Sequence, residues 1–260
     1  MPIDRRAAIE DGSAMFPFRD HNPTRRLPVV TLGLIVLNVA LHIHAGAAHP
    51  SPLATWGYYE DWALLPWRLS RGEALAGLVT YQFLHADYWH LGANMLILWI
   101  YGDNLEEALG RVGFLIFYLT GGVLAGLAQW AVSPWSLVPV LGASGAIAAV
   151  MGGYLLLWPR ARIDVLIFLI IYARVVTVSV WIIMVLWLTV QVLGGLGLDP
   201  AGANIAHAAH LGGFAAGVVL ALPLWLWRGG PAGWRESHGH PPHAPSFTRR
   251  PARERTSPWG

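Results

Sequence analysis

The chain has 260 residues, 55% of them hydrophobic and only 12% charged, with a mean hydropathy of +0.47; a soluble domain carries about twice that share of charge, so the composition belongs to a multi-spanning membrane protein. The absence of cysteine excludes disulfides, thiolate nucleophiles and cysteine-based zinc or iron–sulfur centres, leaving oxygen or nitrogen as any nucleophile. The formal charge of +2 comes from 17 basic residues, all arginine, which cluster at the ends of apolar runs; there they set topology and do not make a nucleic-acid surface.

In chain order, residues 1–27 read as a cytoplasmic arm holding Arg5, Arg6, Arg19, Arg25 and Arg26, with no cleavable signal evident. The first apolar run, 28–47, is then a spanning helix and an uncleaved anchor. Residues 48–82 mix Pro50, Pro52, Trp56, Tyr58, Tyr59, Trp62 and Trp67 with short amphipathic patches, a profile suited to a loop lying among lipid headgroups. A second span runs from Phe83 to Gly102, interrupted at its beginning by His85, Asp87 and His90. Residues 112–132, 137–158, 175–197 and 204–227 supply four more runs of about the length a bilayer requires. The expected fold is therefore an all-α membrane protein, a six-helix bundle over 28–227 with an interfacial first loop. The decamer Ile163 to Tyr172 is too short to cross alone and reads as an interfacial piece or a helix extension. The tail 228–260, rich in Pro, Gly, His and Arg, has too little apolar surface to offset chain entropy and reads as a disordered cytoplasmic tail. His238, His240 and His243 within it read as solvated residues of low-complexity sequence.

Six crossings put both termini on one side. Both are Arg-rich, as is the 159–174 connection that shares their side, while the opposite loops hold only Arg68 and Arg71. Both termini are accordingly expected in the cytoplasm, and the second, fourth and sixth helices run from outside to inside.

Those three helices carry the polar residues. Ser144, the Gly142-Ala143-Ser144-Gly145 serine, lies about seven residues into the fourth helix, His210 about six into the sixth, and His90 and Asn94 near the start of the second. At ~1.5 Å rise per residue all four side chains fall at a similar level, roughly 10 Å below the outer surface. A hydroxyl and an imidazole in hydrocarbon need a partner or a chemical task. Ser144 needs a base to lose its proton, and the His210 imidazole can take it and later return it to a leaving amine. His207, one turn outward, is the rival base; His210 is preferred because Gly213 and Gly217 stand three and seven residues beyond it. His90 and Asn94, four apart, project from one face and can form an oxyanion hole. No carboxylate is placed to complete a triad, since Asp87 and Asp199 lie outside or at the rim. Gly213 and Gly217 make a small-residue stripe that lets helices approach closely, as Gly142 and Gly145 do beside the serine. The Gly-x-Ser-x-Gly elbow of soluble hydrolases is absent, because Ala146 fills its last position.

The run Phe83-Leu84-His85-Ala86-Asp87-Tyr88-Trp89-His90-Leu91-Gly92-Ala93-Asn94, the glycines Gly102 and Gly110, Gly142-Ala143-Ser144-Gly145, and Ala209-His210-Leu211-Gly212-Gly213-Phe214 with Gly217 resemble, in order and spacing, the rhomboid family of intramembrane serine proteases. Pro17-Phe18-Arg19-Asp20 and Asn22-Pro23-Thr24 are similar to bacterial members. The resemblance implies a Ser/His dyad without cofactor or metal, Ser144 as nucleophile, His210 as base, and His90 with Asn94 as oxyanion stabilisers. It implies single-span membrane proteins as substrates, cut near the outer face, and a multi-pass place in the cell's inner membrane. His85 matches a recurrent histidine ahead of the second helix. One departure is that the aromatic often found four residues after the serine is Ala148 here, so the imidazole must be positioned by something else. A catalytically inactive rhomboid-like binder of membrane clients is the alternative. A histidine-based metal or proton transporter using His85, His90, His207 and His210 is disfavoured because the expected spans hold essentially no carboxylate.

Overall fold

The computed structural model describes residues 15–22, 24–49, 51–168, 173–198 and 206–241. The first fourteen residues of the arm, Asp199, and the tail beyond 241 with His243 lie outside them. Strand β1 (Met15–Asp20) leads to α1 (Val29–Ala48), and the expected interfacial loop folds as α2 (Pro52–Trp62), α3 (Pro66–Leu69), α4 (Gly77–Thr80) and a 3₁₀ turn at Tyr81–Phe83. The chain continues through α5 (Tyr88–Leu109), α6 (Arg111–Val132), α7 (Ser144–Leu157), β2 (Arg162–Phe168), β3 (Ala173–Ser179), α8 (Val180–Gly195), α9 (His207–Trp227) and α10 (Gly230–Ser237). By length and composition α1, α6 and α9 can cross a bilayer, with hydropathies of 1.8, 1.7 and 1.7, while α7 and α8 are apolar but shorter.

The molecule is mostly helical but not all-α. A three-stranded antiparallel sheet in the order β1-β2-β3 corrects that expectation. Its strands take up part of the arm, all of the described portion of the decamer read as an interfacial or helical piece, and the first five residues of the expected fifth span. The reason is a period of two: Ile163 and Val165 turn inward and are buried, while Asp164 between them accepts from Thr177 Oγ1 at 2.6 Å and bonds His21 Nε2 at 2.7 Å. The β-branched Val175, Val176, Thr177 and Val178 of β3 suit the same pairing. The near part of the tail is also ordered. In α10, Trp234 Nε1 donates to Leu156 O at 3.0 Å and the ring packs edge-on to Trp225 at 5.1 Å.

Helix boundaries moved where capping overrides hydropathy. Helix α5 starts at Tyr88 because the Asp87 carboxylate accepts from His90 N at 2.7 Å, an N-cap bond. It then continues seven residues past Gly102 and so carries Asp103, Glu106 and Glu107. Glu106 is buried and accepts from Val30 N, Thr31 N and Thr31 Oγ1 at 3.0, 2.8 and 2.8 Å. Pro28, at the cap of α1, makes no side-chain cap bond, so a carboxylate from another helix satisfies the free donors there and complements the helix dipole.

Helix α7 is the centre of the bundle, with eleven of its fourteen residues buried, which only small side chains on the neighbouring helices allow. A Cβ on Gly217 of α9 would collide with Ala149 O, one on Gly213 with Gly145 O, and one on Gly152 of α7 with Phe214 O. Backbone therefore lies on backbone along the α7–α9 seam.

Candidate active site

Ser144 is the first residue of α7, not the seventh of a longer helix, because the chain from Ser136 to Ala143 enters the bundle without helical structure. Irregular backbone at membrane depth needs internal partners and is tolerated where it lines a cavity. Val140 and Leu64 exchange both backbone hydrogen bonds, at 2.8 and 3.1 Å, and Gly142 N donates to Tyr81 O at 3.0 Å. The expected interfacial loop thus clamps the segment that delivers the serine. Gly142 has φ +126, and a Cβ there would stand 2.8–2.9 Å from Cε1 and Nε2 of His90. Only glycine meets both conditions.

Across this turn, at the fourth residue of α9, His210 Nε2 lies 2.7 Å from Ser144 Oγ. The seam glycines make the approach possible, since Gly213, one turn after His210, rests on the backbone of Gly145, the residue after the serine. Ser144, Gly142, Gly145, His90 and His210 share the wall of a cavity of about 660 Å³ with Asp87, Gln129 and the 138–141 segment. His90 is half-buried. Its Nδ1 is approached by Ala86 N–H at 3.5 Å, and its Cε1 and Nε2 edge faces Gly142.

Asn94 is placed differently from the expectation of two stacked donors. It is buried, its Nδ2 donates to His90 O at 2.8 Å, and it does not line the cavity. His85 is buried with its ring 5.2 Å from that of His90 and edge-on to it, behind the cavity wall. Gly217 lies deeper in the seam. His207, the rival base, packs its ring over Gly194 of α8 and does not line the cavity. Among the described residues no group of three or more His, Asp or Glu is close enough to hold a metal ion.

Three residues were given no role at the site from the sequence. Gln191 of α8 is buried, with Oε1 2.8 Å from His210 Nδ1 and 3.0 Å from His207 Nδ1. One turn before it, Trp187 lies on the His210 ring, 5.8 Å between centroids at 37°. It supplies the aromatic contact that Ala148 cannot. Gln129 Oε1 accepts from Ala209 N at 3.2 Å, closing a free donor in the first turn of α9. The signal for both glutamines was an uncharged amide inside an apolar run.

A family model described as the Rhomboid domain matches residues 72–227. The chain is 28% identical over 218 residues, 84% of its length, to rhomboid protease GluP of Bacillus subtilis, and covers 38% of that protein. It is 33% identical over 53% of its length to Rhomboid protein 1, mitochondrial, of Saccharomyces cerevisiae, covering 38% of that protein. To Rhomboid-like protein 11, chloroplastic, of Arabidopsis thaliana it is 35% identical over 57% of its length, covering 51%. The chain thus spans about two fifths to one half of the length of these relatives. With a domain match over more than half of the chain and a helical bundle of apolar helices around the matched motifs, the chain belongs to the rhomboid family.

Proposed function

We propose that the chain is an intramembrane serine endopeptidase that cleaves transmembrane segments of single-span membrane proteins near the outer face. The observation that carries this reading is the 2.7 Å approach of His210 Nε2 to Ser144 Oγ at the wall of a cavity, between residues 66 apart in sequence. In this reading Ser144 Oγ attacks the scissile carbonyl as its proton passes to His210 Nε2. The tetrahedral oxyanion is held by His90 Nε2–H and by the free N–H groups at the start of α7, where the positive end of the helix dipole favours negative charge. Asn94, whose amide donates to His90 O, supports the His90 turn from behind the cavity. His210 then gives its proton to the departing amine, and water, with His210 again as base, hydrolyses the acyl ester. Each step needs only side chains, backbone N–H groups and water, with no metal or cofactor.

The same reading takes six crossings with α5, α7 and α9 descending from outside, both termini in the cytoplasm of a cell whose inner membrane holds the protein, and α2 to α4 at the outer interface. Because the chain has no cysteine, single cysteines introduced at Ser51 and at Ser257 report topology directly. An impermeant maleimide applied to intact cells should label the first and not the second.

Activity is tested by incubating the purified protein in detergent with a fluorescent single-span substrate. Ser144→Ala and His210→Ala should each abolish cleavage, and His207→Ala should leave most of it. A dead His207→Ala beside an active His210→Ala would reassign the base. A wild-type protein that binds the substrate without cutting it would make the chain a client binder.

A further inference from the structure

We propose that Gln191 is a positioning residue of the dyad, its carboxamide oxygen holding the His210 imidazole in the tautomer that carries the proton on Nδ1 and leaves Nε2 to receive the proton of Ser144. This deepens the protease reading and rests on it.

Helix α8 has three buried residues, Val180, Met184 and Gln191. The first two are apolar, and the third is an amide whose burial in hydrocarbon is costly unless it is bonded. Its Oε1 faces two ring nitrogens, Nδ1 of His210 at 2.8 Å and Nδ1 of His207 at 3.0 Å. A carboxamide oxygen has two lone pairs, so it can accept from both rings at once, and both are then Nδ1–H tautomers. The orientation of the amide decides the chemistry. With the NH₂ group toward the rings, the proton of His210 would sit on Nε2, facing Ser144 Oγ at 2.7 Å, and the ring could not act as base. In a Ser-His-Asp triad a buried carboxylate makes this choice. A neutral amide makes the same choice without placing a negative charge in the bilayer. Trp187, on the same face of α8 one turn earlier, limits rotation of the ring by lying on it. Both groups ride on α8, so readiness of the base follows the docking of α8 on α9.

The test uses the full chain in detergent micelles with Gln191→Met, similar in shape but without the acceptor, and Gln191→Glu, which keeps an acceptor and adds charge. Gln191→Met should lower kcat roughly 10- to 100-fold, the range seen when the hydrogen-bond partner of a metal-bound imidazole is lost, with KM little changed. In the ¹⁵N spectrum of imidazole-labelled protein, the His210 signals, assigned by difference from His210→Ala, should report Nδ1–H in the wild type and a shift toward Nε2–H in Gln191→Met. Gln191→Glu should retain activity and move the acid limb of the pH profile upward: a carboxylate favours the imidazolium, raises the imidazole pKa, and so protonates the base at higher pH. Wild-type kcat and pH profile in Gln191→Met, an Nε2–H signal in the wild type, or an inactive but folded Gln191→Glu would each overturn the proposal. If Gln191→Met fails to fold, the wild-type tautomer and Gln191→Glu still decide it. Wild-type protein that neither cuts nor reacts at Ser144 would instead remove the protease reading, and the tautomer could still be read.

Discussion

Ser144 heads a helix that is buried along nearly its whole length, whereas the residues bearing on the far side of His210 sit on a helix with three buried positions. The serine is placed by backbone lying on backbone: Gly213 rests on Gly145 and Gly217 on Ala149. The imidazole is placed by side chains, Gln191 and Trp187, that reach across from α8. Damage to the first region should therefore appear as loss of fold, and damage to the second as loss of chemistry on a fold that survives.

The largest expected effect is Gly217→Ala, whose new methyl would overlap Ala149 O. Overpacking of this kind costs about 1–3 kcal/mol or more, and both the thermal midpoint in micelles and cleavage should fall. The matching change on α1, Gly33→Ala, meets nothing within 4 Å and should be neutral or stabilising by about 0.5–1 kcal/mol. Equal destabilisation by the two would break the comparison. Glu106→Ala comes next, stranding the three donors it serves on α1 at a cost of about 1–3 kcal/mol. The thermal midpoint should fall while kcat per folded molecule stays, because the carboxylate is at the far end of α5 from His90. Trp187→Ala should do the reverse, lowering kcat about two- to tenfold, the rate equivalent of the ~0.5–1.5 kcal/mol of an aromatic pair, with a smaller change in midpoint than Gly217→Ala gives. The smallest effect is expected of His207→Ala, since its ring packs on Gly194 away from the serine; kcat within about threefold of wild type is the outcome that general-base assignment to His210 requires.

What could be read from residues alone follows the same division. Apolar runs located the helices because hydropathy is what a bilayer selects, and Ser144 and His210 stood out because isolated polar groups in such runs are costly. The sheet was hidden because the same hydropathy count reads Ile163–Phe168 as membrane-like, although alternation around Asp164 marks a strand. The helical start at Ser144 was hidden too. Residues 138–143 are apolar enough to extend α7, and what excludes them from it is Pro139 and the φ of +126 at Gly142, together with pairing to Leu64 and Tyr81, contacts distant in sequence. Gln191 is neither a carboxylate nor an imidazole, yet an amide inside a span carries the same warning as a serine. Glu106 fell beyond the expected end of its helix because the apolar run stops near Gly102, although Gly110, the C-cap with φ +74, marks the true end.

The central claim is that Ser144 Oγ and His210 Nε2 act together. The most direct measurement is intact-mass and peptide mapping of the full chain in micelles after exposure to a fluorophosphonate. A single adduct on Ser144 in the wild type, absent from folded His210→Ala, is predicted. An adduct on another residue, no adduct on folded wild-type protein, or undiminished labelling of His210→Ala would contradict it.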